Sequence, residues 1–380
     1  MAMDINALLE LCSQHSQRTV VSPTVDKCPD WIVDHGVLRN TKSDYFSIGL
    51  YSQERGGPLL LITQNDPALV LLLASKIEDQ DVILLSLRTE PGLIGLTNLT
   101  TTIQSTPSNY LRRHGGKSTP FIEVAMDPGA HGRVLYDEYQ YDWGSYYCGK
   151  TKRFLIVALD SHLQAPSGFS WVPMETAKAL LLEDHLVTND LRVSIPLLAA
   201  SAGLNLDTVE PLAPPETSKS LQRLEFSPGV VDCRGTSVSF FRTETTTREV
   251  SSWVQPLLVP REVMKISLAF VQKASGRHYA IERRTQPGLS GQELWFPVDG
   301  LSGKLYRSVT TSAEGGRFWK YSIHIELIEV DDAEAAVTQN SRCECWLSEE
   351  NLSLIIAQPL QSSLELRMAW SLVYGRGFGA

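Results

Sequence analysis

The sequence lacks any long hydrophobic run. Its longest apolar stretches, near Leu59–Ile62 and Ala68–Ala74, are separated by the polar residues 63–66. Neither approaches the roughly 18 residues that a membrane-spanning helix requires. The chain starts with an early aspartate and no cationic residue, so we expect no signal peptide. These features predict a cytoplasmic protein without a membrane partner.

Basic residues are also in short supply. The chain has 34 Lys and Arg against 43 Asp and Glu, which gives a net charge of −9 and an isoelectric point near 5.5. An acidic chain without a face dense in lysine and arginine is poorly suited to binding nucleic acid. We therefore expect no nucleic-acid partner.

Cysteines are few and show no regular spacing. The chain has 6 of them among 380 residues, and their spacing forms no disulfide framework. Cys343 and Cys345 form one close pair, but no second pair or nearby histidine completes a metal site. Free thiols in a reducing compartment are the expected state.

The chain is long enough for two domains, and it repeats itself once. Trp171 and Trp346 are 175 residues apart, and so are Arg192 and Arg367. Self-similarity over such a distance indicates duplication of one domain. Because both copies keep these residues, we interpret the tryptophans as core markers and the arginines as structural.

A second match lies upstream, at a larger separation. The segment 283–288, Arg-Arg-Thr-Gln-Pro-Gly, is similar to the segment 87–92, Leu-Arg-Thr-Glu-Pro-Gly, and the two are 196 residues apart. The separation then falls to 175, so the second copy has lost about twenty residues after its Pro-Gly step. The missing piece is the polar segment 104–117, so we expect one functional ligand pocket per chain.

Periodicity predicts an α+β fold with a mixed sheet flanked by helices in each copy. The predicted strands are 45–51, 59–63, 81–87, 154–158, 238–242, 266–272, 278–283 and 321–328. The predicted helices are 5–14, 174–182, 191–202, 347–357 and 364–372. The predicted organisation is a helical extension at 1–30, a first repeat at 31–204, a proline-rich linker at 205–221 and a shortened, non-catalytic second repeat at 222–376.

The most informative stretch is the polar segment 104–117. It concentrates amide, hydroxyl, phenol, guanidinium and imidazole groups, a mixture that few structural loops need. Such a mixture is what a site requires to hold phosphates and polarise a sugar. The candidate residues in it are Gln104, Thr106, Ser108, Asn109, Tyr110, Arg112, Arg113, His114, Gly115, Gly116 and Lys117.

This stretch resembles the NDP-hexose 2,3-dehydratases. Their members carry Glu-Pro-Gly, then a run ending in Ser-Asn-Tyr, then His-Gly-Gly, as at Glu90–Gly92, Ser108–Tyr110 and His114–Gly116 here. The segments 248–258 and 314–318 resemble further family steps. The resemblance implies two tandem Nudix-like domains and a homodimer. It also implies a hydro-lyase of deoxysugar and antibiotic biosynthesis, acting on a dTDP-4-keto-6-deoxyhexose, with a possible downstream 3-ketoreductase.

That elimination removes a proton from C3, next to the C4 ketone, and expels the C2 hydroxyl, without a redox cofactor. It needs a base, an acid and donors to the C4 oxygen. His114 and Tyr110 are the natural proton carriers, with Glu90 as a further catalytic candidate and Asn109 and Gln104 as donors. The remaining candidates would bind substrate. Arg112, Arg113 and Lys117 would contact the diphosphate, Thr106 and Ser108 would contribute hydroxyls, and Gly115 and Gly116 would offer backbone N–H groups.

Each role has a structural alternative. His114 before two glycines could serve only a turn, Tyr110 could be a core aromatic, and Glu90 could cap the Pro-Gly turn. Arg112 and Arg113 are adjacent, so in an extended segment they would face opposite ways and at most one would meet phosphate.

Nudix hydrolysis is not predicted. That chemistry holds Mg²⁺ with paired glutamates after an Arg-Glu step, and the nearest matches, at 248–252 and 261–265, lack them. We therefore expect no metal and no cofactor. Two other functions stay open: a family member that eliminates or isomerises next to a carbonyl on another substrate, and a non-catalytic nucleotide-sugar binding subunit.

Overall fold

The computed structural model describes residues 5–24, 28, 30–42, 45–52, 58–113, 117–201, 222–223, 235–246, 250–289, 291–331 and 345–375. The helices are α1 Ile5–Ser16, α2 Pro107–Tyr110, α3 Ile122–Met126, α4 Met174–Leu180, α5 Asn189–Ser201, α6 Glu349–Ala357 and α7 Leu364–Tyr374. The strands of the N-terminal part are β1 Thr19–Thr24, β2 Trp31–Asp34, β3 Val37–Asn40, β4 Ser47–Ser52, β5 Leu59–Thr63, β6 Ala68–Ile77, β7 Gln80–Thr89, β8 Thr97–Thr100 and β9 Ile103–Ser105. They are followed by β10 Gly132–Tyr141, β11 Tyr147–Cys148, β12 Thr151–Leu159, β13 Phe169–Pro173, β14 Gln222–Arg223, β15 Thr236–Thr245 and β16 Ser252–Pro260. The last are β17 Met264–Lys273, β18 Gly276–Thr285, β19 Glu293–Pro297, β20 Lys304–Ser312, β21 Ser322–Glu329 and β22 Cys345–Ser348.

The α+β prediction is confirmed, and every predicted strand and helix overlaps an observed one. An observed helix boundary differs from the predicted one where a capping residue sets the start of the helix. Helix α6 begins at Glu349 because the Ser348 side chain accepts a hydrogen bond from the Asn351 N–H, which makes Ser348 the N-cap. The two residues before it belong to strand β22. The predicted linker at 205–221 lies outside the described residues.

Two large sheets share one strand order. The first runs β10-β12-β6-β7-β13, and the second runs β20-β21-β17-β18, with β22 on the far side of β18. Each has one parallel pair at its centre, β12 with β6 and β21 with β17. The register also matches: Trp171 lies opposite Leu84, and Trp346 lies opposite Ala280, which is 196 residues beyond Leu84.

The difference between these sheets lies after β7. In the first sheet β8 pairs with β7, and β9, α2 and α3 follow before β10. Between β18 and β20 the described residues form a short 3₁₀ turn at Pro287–Leu289 and strand β19, which pairs with β18 as β8 pairs with β7, and they contain no counterpart of β9, α2 or α3. The polar segment 104–117 therefore occupies an insertion found in the first half alone.

Two further sheets complete the described fold. One has the order β11-β5-β4-β3-β2, with β14 on β4, and the other has the order β1-β15-β16. Strand β1 follows helix α1 and pairs with β15, so the N-terminal segment is joined to the second half of the chain. Residues 1–30 thus contain a strand as well as the predicted helix.

The Pro-Gly turn of each half is hydrogen-bonded to the other half. The Gly92 N–H donates to the Gly315 carbonyl at 2.9 Å, and the Gly288 N–H donates to the Gly144 carbonyl at 2.7 Å. There is no room for a side chain at either position, because a Cβ on Gly92 would lie 1.6 Å from the Phe318 carbonyl oxygen. Each half therefore completes a turn of the other.

One continuous core spans both halves, with Leu72 and Ile83 from the first sheet and Ile325 and Trp370 from the second half. The repeated arginines lie within it. Arg192 is fully buried and donates to the Leu181 carbonyl at 2.5 Å. Arg367 is also buried and donates to the Ser362 carbonyl. This geometry supports a structural role for both arginines.

Cysteine and membrane predictions can be compared only over the described residues. Cys12 and Cys28 are free thiols, and Cys233 and Cys343 lie outside those residues. Among the helices described, none is long and apolar enough to span a bilayer.

Candidate active site

A cleft of about 540 Å³ lies where the two halves meet. Its first wall comes from the polar segment, with Thr106, Asn109, Arg112, Arg113 and Lys117. Its second wall comes from the β2–β4 region, with Asp30, Trp31, Asn40, Lys42, Tyr45 and Phe46. Its third wall comes from the second half, with Val250, Ser252, Trp253, Val254, Gln255, Glu314, Gly316 and Arg317.

Glu90 lies at the junction of these walls and is held on both carboxylate oxygens. The Arg88 guanidinium donates to Oε1 through Nε at 2.9 Å and Nη2 at 2.6 Å. The Gly316 N–H donates to Oε2 at 3.0 Å. Only 5% of the Glu90 side chain is exposed. Glu90 thus joins the first half to the turn of the second half that lines the cleft.

Residues 107–113 of the polar segment fold into a compact turn. Helix α2 is a single turn, and the Arg113 N–H donates to the Ser108 carbonyl at 3.0 Å beyond its end. Arg112 adopts a left-handed backbone with φ of 57°. Because the segment turns here, the expectation that Arg112 and Arg113 face opposite ways does not hold, and both line the cleft.

The cleft is rich in cations for an acidic protein. Lys42 pairs with Asp30 at 2.7 Å, and Arg88 pairs with Glu90. Arg113 has a longer contact of 3.4 Å with Asp66, between two half-exposed side chains. Such exposed pairs contribute little and leave the charges available to an anion. A negatively charged ligand is therefore the occupant that this cleft favours.

The structure places some predicted residues outside the cleft. Gln104 accepts a hydrogen bond from Thr100 at 2.9 Å and borders a smaller inner cavity. Ser108 is buried and bonds the Thr106 hydroxyl at 3.0 Å. Tyr110 packs against the apolar cluster around Phe121. Burial and then the Asp66 carboxylate raise the pKa of Tyr110, so the phenol keeps its proton. His114, Gly115 and Gly116 lie outside the described residues.

Comparison with known proteins decides the family. The model of the NDP-hexose 2,3-dehydratase family matches residues 4–198. A dTDP-4-dehydro-6-deoxy-alpha-D-glucopyranose 2,3-dehydratase from Streptomyces violaceoruber is 30% identical, over 86% of this chain and 87% of its own length. The chain belongs to the NDP-hexose 2,3-dehydratase family.

Two further dehydratases of this family have the same name. The one from Saccharopolyspora spinosa is 25% identical over 73% of this chain and 70% of its own length. The one from Amycolatopsis orientalis is 24% identical over 50% of this chain and 41% of its own length.

Sequence reasoning allowed the pocket to borrow walls from the other copy, but it named no site residue from the second half of this dehydratase-family chain. The Trp253 Nε1 donates to Gln255 Oε1 at 3.0 Å, and Gln255 Nε2 donates to the Gly316 carbonyl at 3.0 Å. The Arg317 guanidinium lies 3.9 Å above the Phe46 ring, a cation–π contact, and donates to Gln64 at 3.0 Å. The only signal was the family resemblance of the segments 248–258 and 314–318.

A buried charge cluster lies behind the cleft. Lys150 Nζ lies 2.9 Å from both Asp142 Oδ2 and Glu314 Oε2. Lys152 Nζ lies 2.7 Å from Asp190 Oδ1 and 3.2 Å from Asp142 Oδ2. Burial raises the pKa of Asp190, whereas Lys150 and Lys152 overcome burial at Asp142 and lower its pKa. Glu314 also lines the cleft, so it connects this cluster to the candidate site.

Proposed function

We propose that this chain removes water from a dTDP-4-keto-6-deoxyhexose and gives a 3,4-diketo-2,6-dideoxy sugar. The observation that carries the proposal is the convergence of Arg112, Arg113, Lys117 and Arg317 on one cleft of an acidic chain. Arginine and lysine are the residues that neutralise a diphosphate. The names of the curated relatives give the substrate class.

The cleft supplies further groups that the elimination needs. Asn109 lines it and is our candidate donor to the C4 oxygen. His114 follows Arg113 in the chain, and we propose it as the acid that protonates the departing C2 hydroxyl. Tyr110 was the other candidate carrier, and its packing favours His114 for this role. Glu90 positions Arg88 and the 316–317 turn rather than moving a proton.

We further propose that the two halves are Nudix-like repeats from one duplication, spanning 31–204 and 222–376. The matching strand order and register of the two large sheets support this. A homodimer in the cytoplasm is the expected assembly. A 3-ketoreductase would act next, because the 3,4-diketone is a labile product.

The function is tested by incubating the purified chain with dTDP-4-keto-6-deoxyglucose. We expect a product lighter by one water, captured with an aromatic diamine that condenses with the 1,2-diketone. Saturating dTDP should also raise the melting temperature, since ligand at about 100 times Kd stabilises a protein by about 2.7 kcal/mol. If neither dTDP nor the dTDP-sugar shifts the transition, the proposal loses its main support.

Chelation should leave the activity intact. The chain lacks the paired glutamates that hold Mg²⁺ in Nudix hydrolases, and the elimination needs no metal to proceed. We expect equal turnover before and after treatment with EDTA and desalting. Loss of turnover that added Mg²⁺ restores would show this prediction to be wrong.

Removing cleft cations should weaken nucleotide binding first. Arg112→Ala and Arg113→Ala should each raise the Kd for dTDP by about 10-fold or more, because charge-assisted hydrogen bonds contribute about 1.5–3 kcal/mol. Calorimetric titration measures the change. Lys76→Ala is the matched control, since Lys76 lies at the end of β6 with its side chain 72% exposed. Equal Kd values in all three variants would place the phosphates elsewhere.

A further inference from the structure

Three carboxylates of the described residues line the cleft, and their hydrogen bonds differ. Asp30 is partly exposed and pairs with Lys42 at 2.7 Å. Glu90 accepts bonds on both oxygens, from Arg88 and from the Gly316 N–H. Glu314 differs from both, because the hydrogen bonds it receives from described residues, from Tyr147 at 3.1 Å and Lys150 at 2.9 Å, end on Oε2.

The second oxygen of Glu314 is therefore available to a ligand. The side chain is 17% exposed and borders both the cleft and the inner cavity behind it. Tyr147 and Lys150 are almost completely buried, so they fix the carboxylate without reaching the cleft themselves. A carboxylate held on one oxygen and open on the other is suited to accept a proton from a bound molecule.

The charge around Glu314 keeps this carboxylate in the ionised form that a base needs. The cluster contains Lys150 and Lys152 against Asp142, Asp190 and Glu314. Burial opposes the charge on Glu314, but the two ammonium groups outweigh it and hold the pKa of Glu314 well below its usual range. Glu314 is thus ionised when substrate arrives.

We propose that Glu314, supplied by the second half of the chain, is the base that removes the C3 proton of the bound 4-keto sugar. The inference rests on the function proposed above. Tyr147 and Lys150 act as positioning residues, and the half predicted to be non-catalytic contributes the reacting group.

The step balances without a further reactant. The C3–H bond breaks, its proton goes to Glu314 Oε1, and its electron pair forms the enolate with the C4 carbonyl. The enolate then expels the C2 oxygen, which leaves as water with a proton from the acid named above. The resulting enol tautomerises to the 3-ketone when a proton is returned to C2. No atom is transferred to or from a cofactor.

The test is exchange of the C3 hydrogen in D₂O, followed by proton NMR of dTDP-4-keto-6-deoxyglucose with the full chain. In Glu314→Gln we expect exchange and turnover to fall by about 10²–10⁴-fold, the usual contribution of a general base. The Kd for dTDP should stay within about threefold of the wild-type value, because the proposed role of Glu314 concerns the sugar and not the diphosphate. Wild-type exchange in this variant would overturn the proposal.

Two companion variants separate catalysis from folding. Glu314→Asp keeps the charge of the cluster but withdraws the carboxylate by one methylene, and it should lose exchange by about 10²-fold, as a displacement near 1 Å does. Glu326→Gln is the matched control. Glu326 is 14% exposed and pairs with Lys265 at 2.8 Å in the second half, and it does not line the cleft.

The outcomes distinguish this inference from the function on which it rests. If the wild-type chain neither binds dTDP nor releases a diketone, both the proposed function and the inference about Glu314 are wrong. An active wild-type chain whose Glu314→Asp variant exchanges C3 normally ends the inference alone. Loss of exchange in Glu326→Gln as well would assign the effect to folding and would also overturn it.

Discussion

Gly92→Ala is expected to prevent normal folding of the chain. An added Cβ would lie 1.6 Å from the Phe318 carbonyl oxygen and 2.9 Å from the Gly315 carbonyl oxygen. Both neighbours are backbone atoms, which cannot move aside as a flexible side chain can. The Pro-Gly turn must therefore separate from the second half. We expect a destabilisation larger than about 3 kcal/mol, the upper end of the range for overpacked cores. Thermal denaturation and the soluble yield measure it.

The control is Gly129→Ala. Gly129 lies in the short turn before β10, and an added Cβ would meet no atom within 4 Å. It should melt within a degree or two of the wild-type chain. Gly288→Ala should behave like Gly92→Ala, because its Cβ would lie 1.7 Å from the Tyr147 carbonyl oxygen. A normal melting temperature in Gly92→Ala or Gly288→Ala would contradict the close contact between each Pro-Gly turn and the other half.

His114→Asn should abolish dehydration while preserving nucleotide binding. If His114 protonates the C2 oxygen, its loss should reduce kcat by about 10²–10⁴-fold and change the Kd for dTDP little. Exchange of the C3 hydrogen should persist in this variant, because the base still acts. This pattern differs from that expected for Glu314→Gln, which should lose C3 exchange as well as turnover, and the diamine assay and NMR exchange together separate the two.

Two comparisons make the His114 result specific. His35→Asn is the matched control, since His35 has a 92% exposed side chain in a left-handed turn that asparagine tolerates. Tyr110→Phe should keep most of the turnover, because the Tyr110 ring packs on the cluster around Phe121. Wild-type kcat in His114→Asn would move the acid to another residue.

Local patterns in the sequence predicted most of the elements. The alternation and apolar runs that indicate strands are short-range signals, and the starts of α6 and α7 are set by serine caps that bond an N–H three residues further on. Helix α5 begins at Asn189, two residues before the predicted start, because the Thr188 hydroxyl accepts from the Leu191 N–H at 3.4 Å. Such caps are visible in the sequence once the strand before them is placed.

The site was only half predictable. The polar segment 104–117 was recognisable because its residue types serve chemistry rather than packing. Glu314 and Arg317 were not predicted as site residues, because only tertiary contacts bring them to this segment. Arg317 binds Gln64 across 253 residues of sequence. No local pattern encodes a contact of that range, and the internal repeat pointed away from it by marking the second half as shortened.

The contacts between each Pro-Gly turn and the other half also determine when the site can form during synthesis on the ribosome. Glu90 emerges early, but the Gly316 N–H that occupies its second oxygen lies 226 residues further along the chain. Until that residue emerges, Glu90 has Arg88 as a partner on one oxygen but lacks the Gly316 N–H on the other, and the Pro-Gly turn lacks its contacts with the second half. The nascent chain therefore cannot complete the site one half at a time, and its first half depends on its last third to become an enzyme.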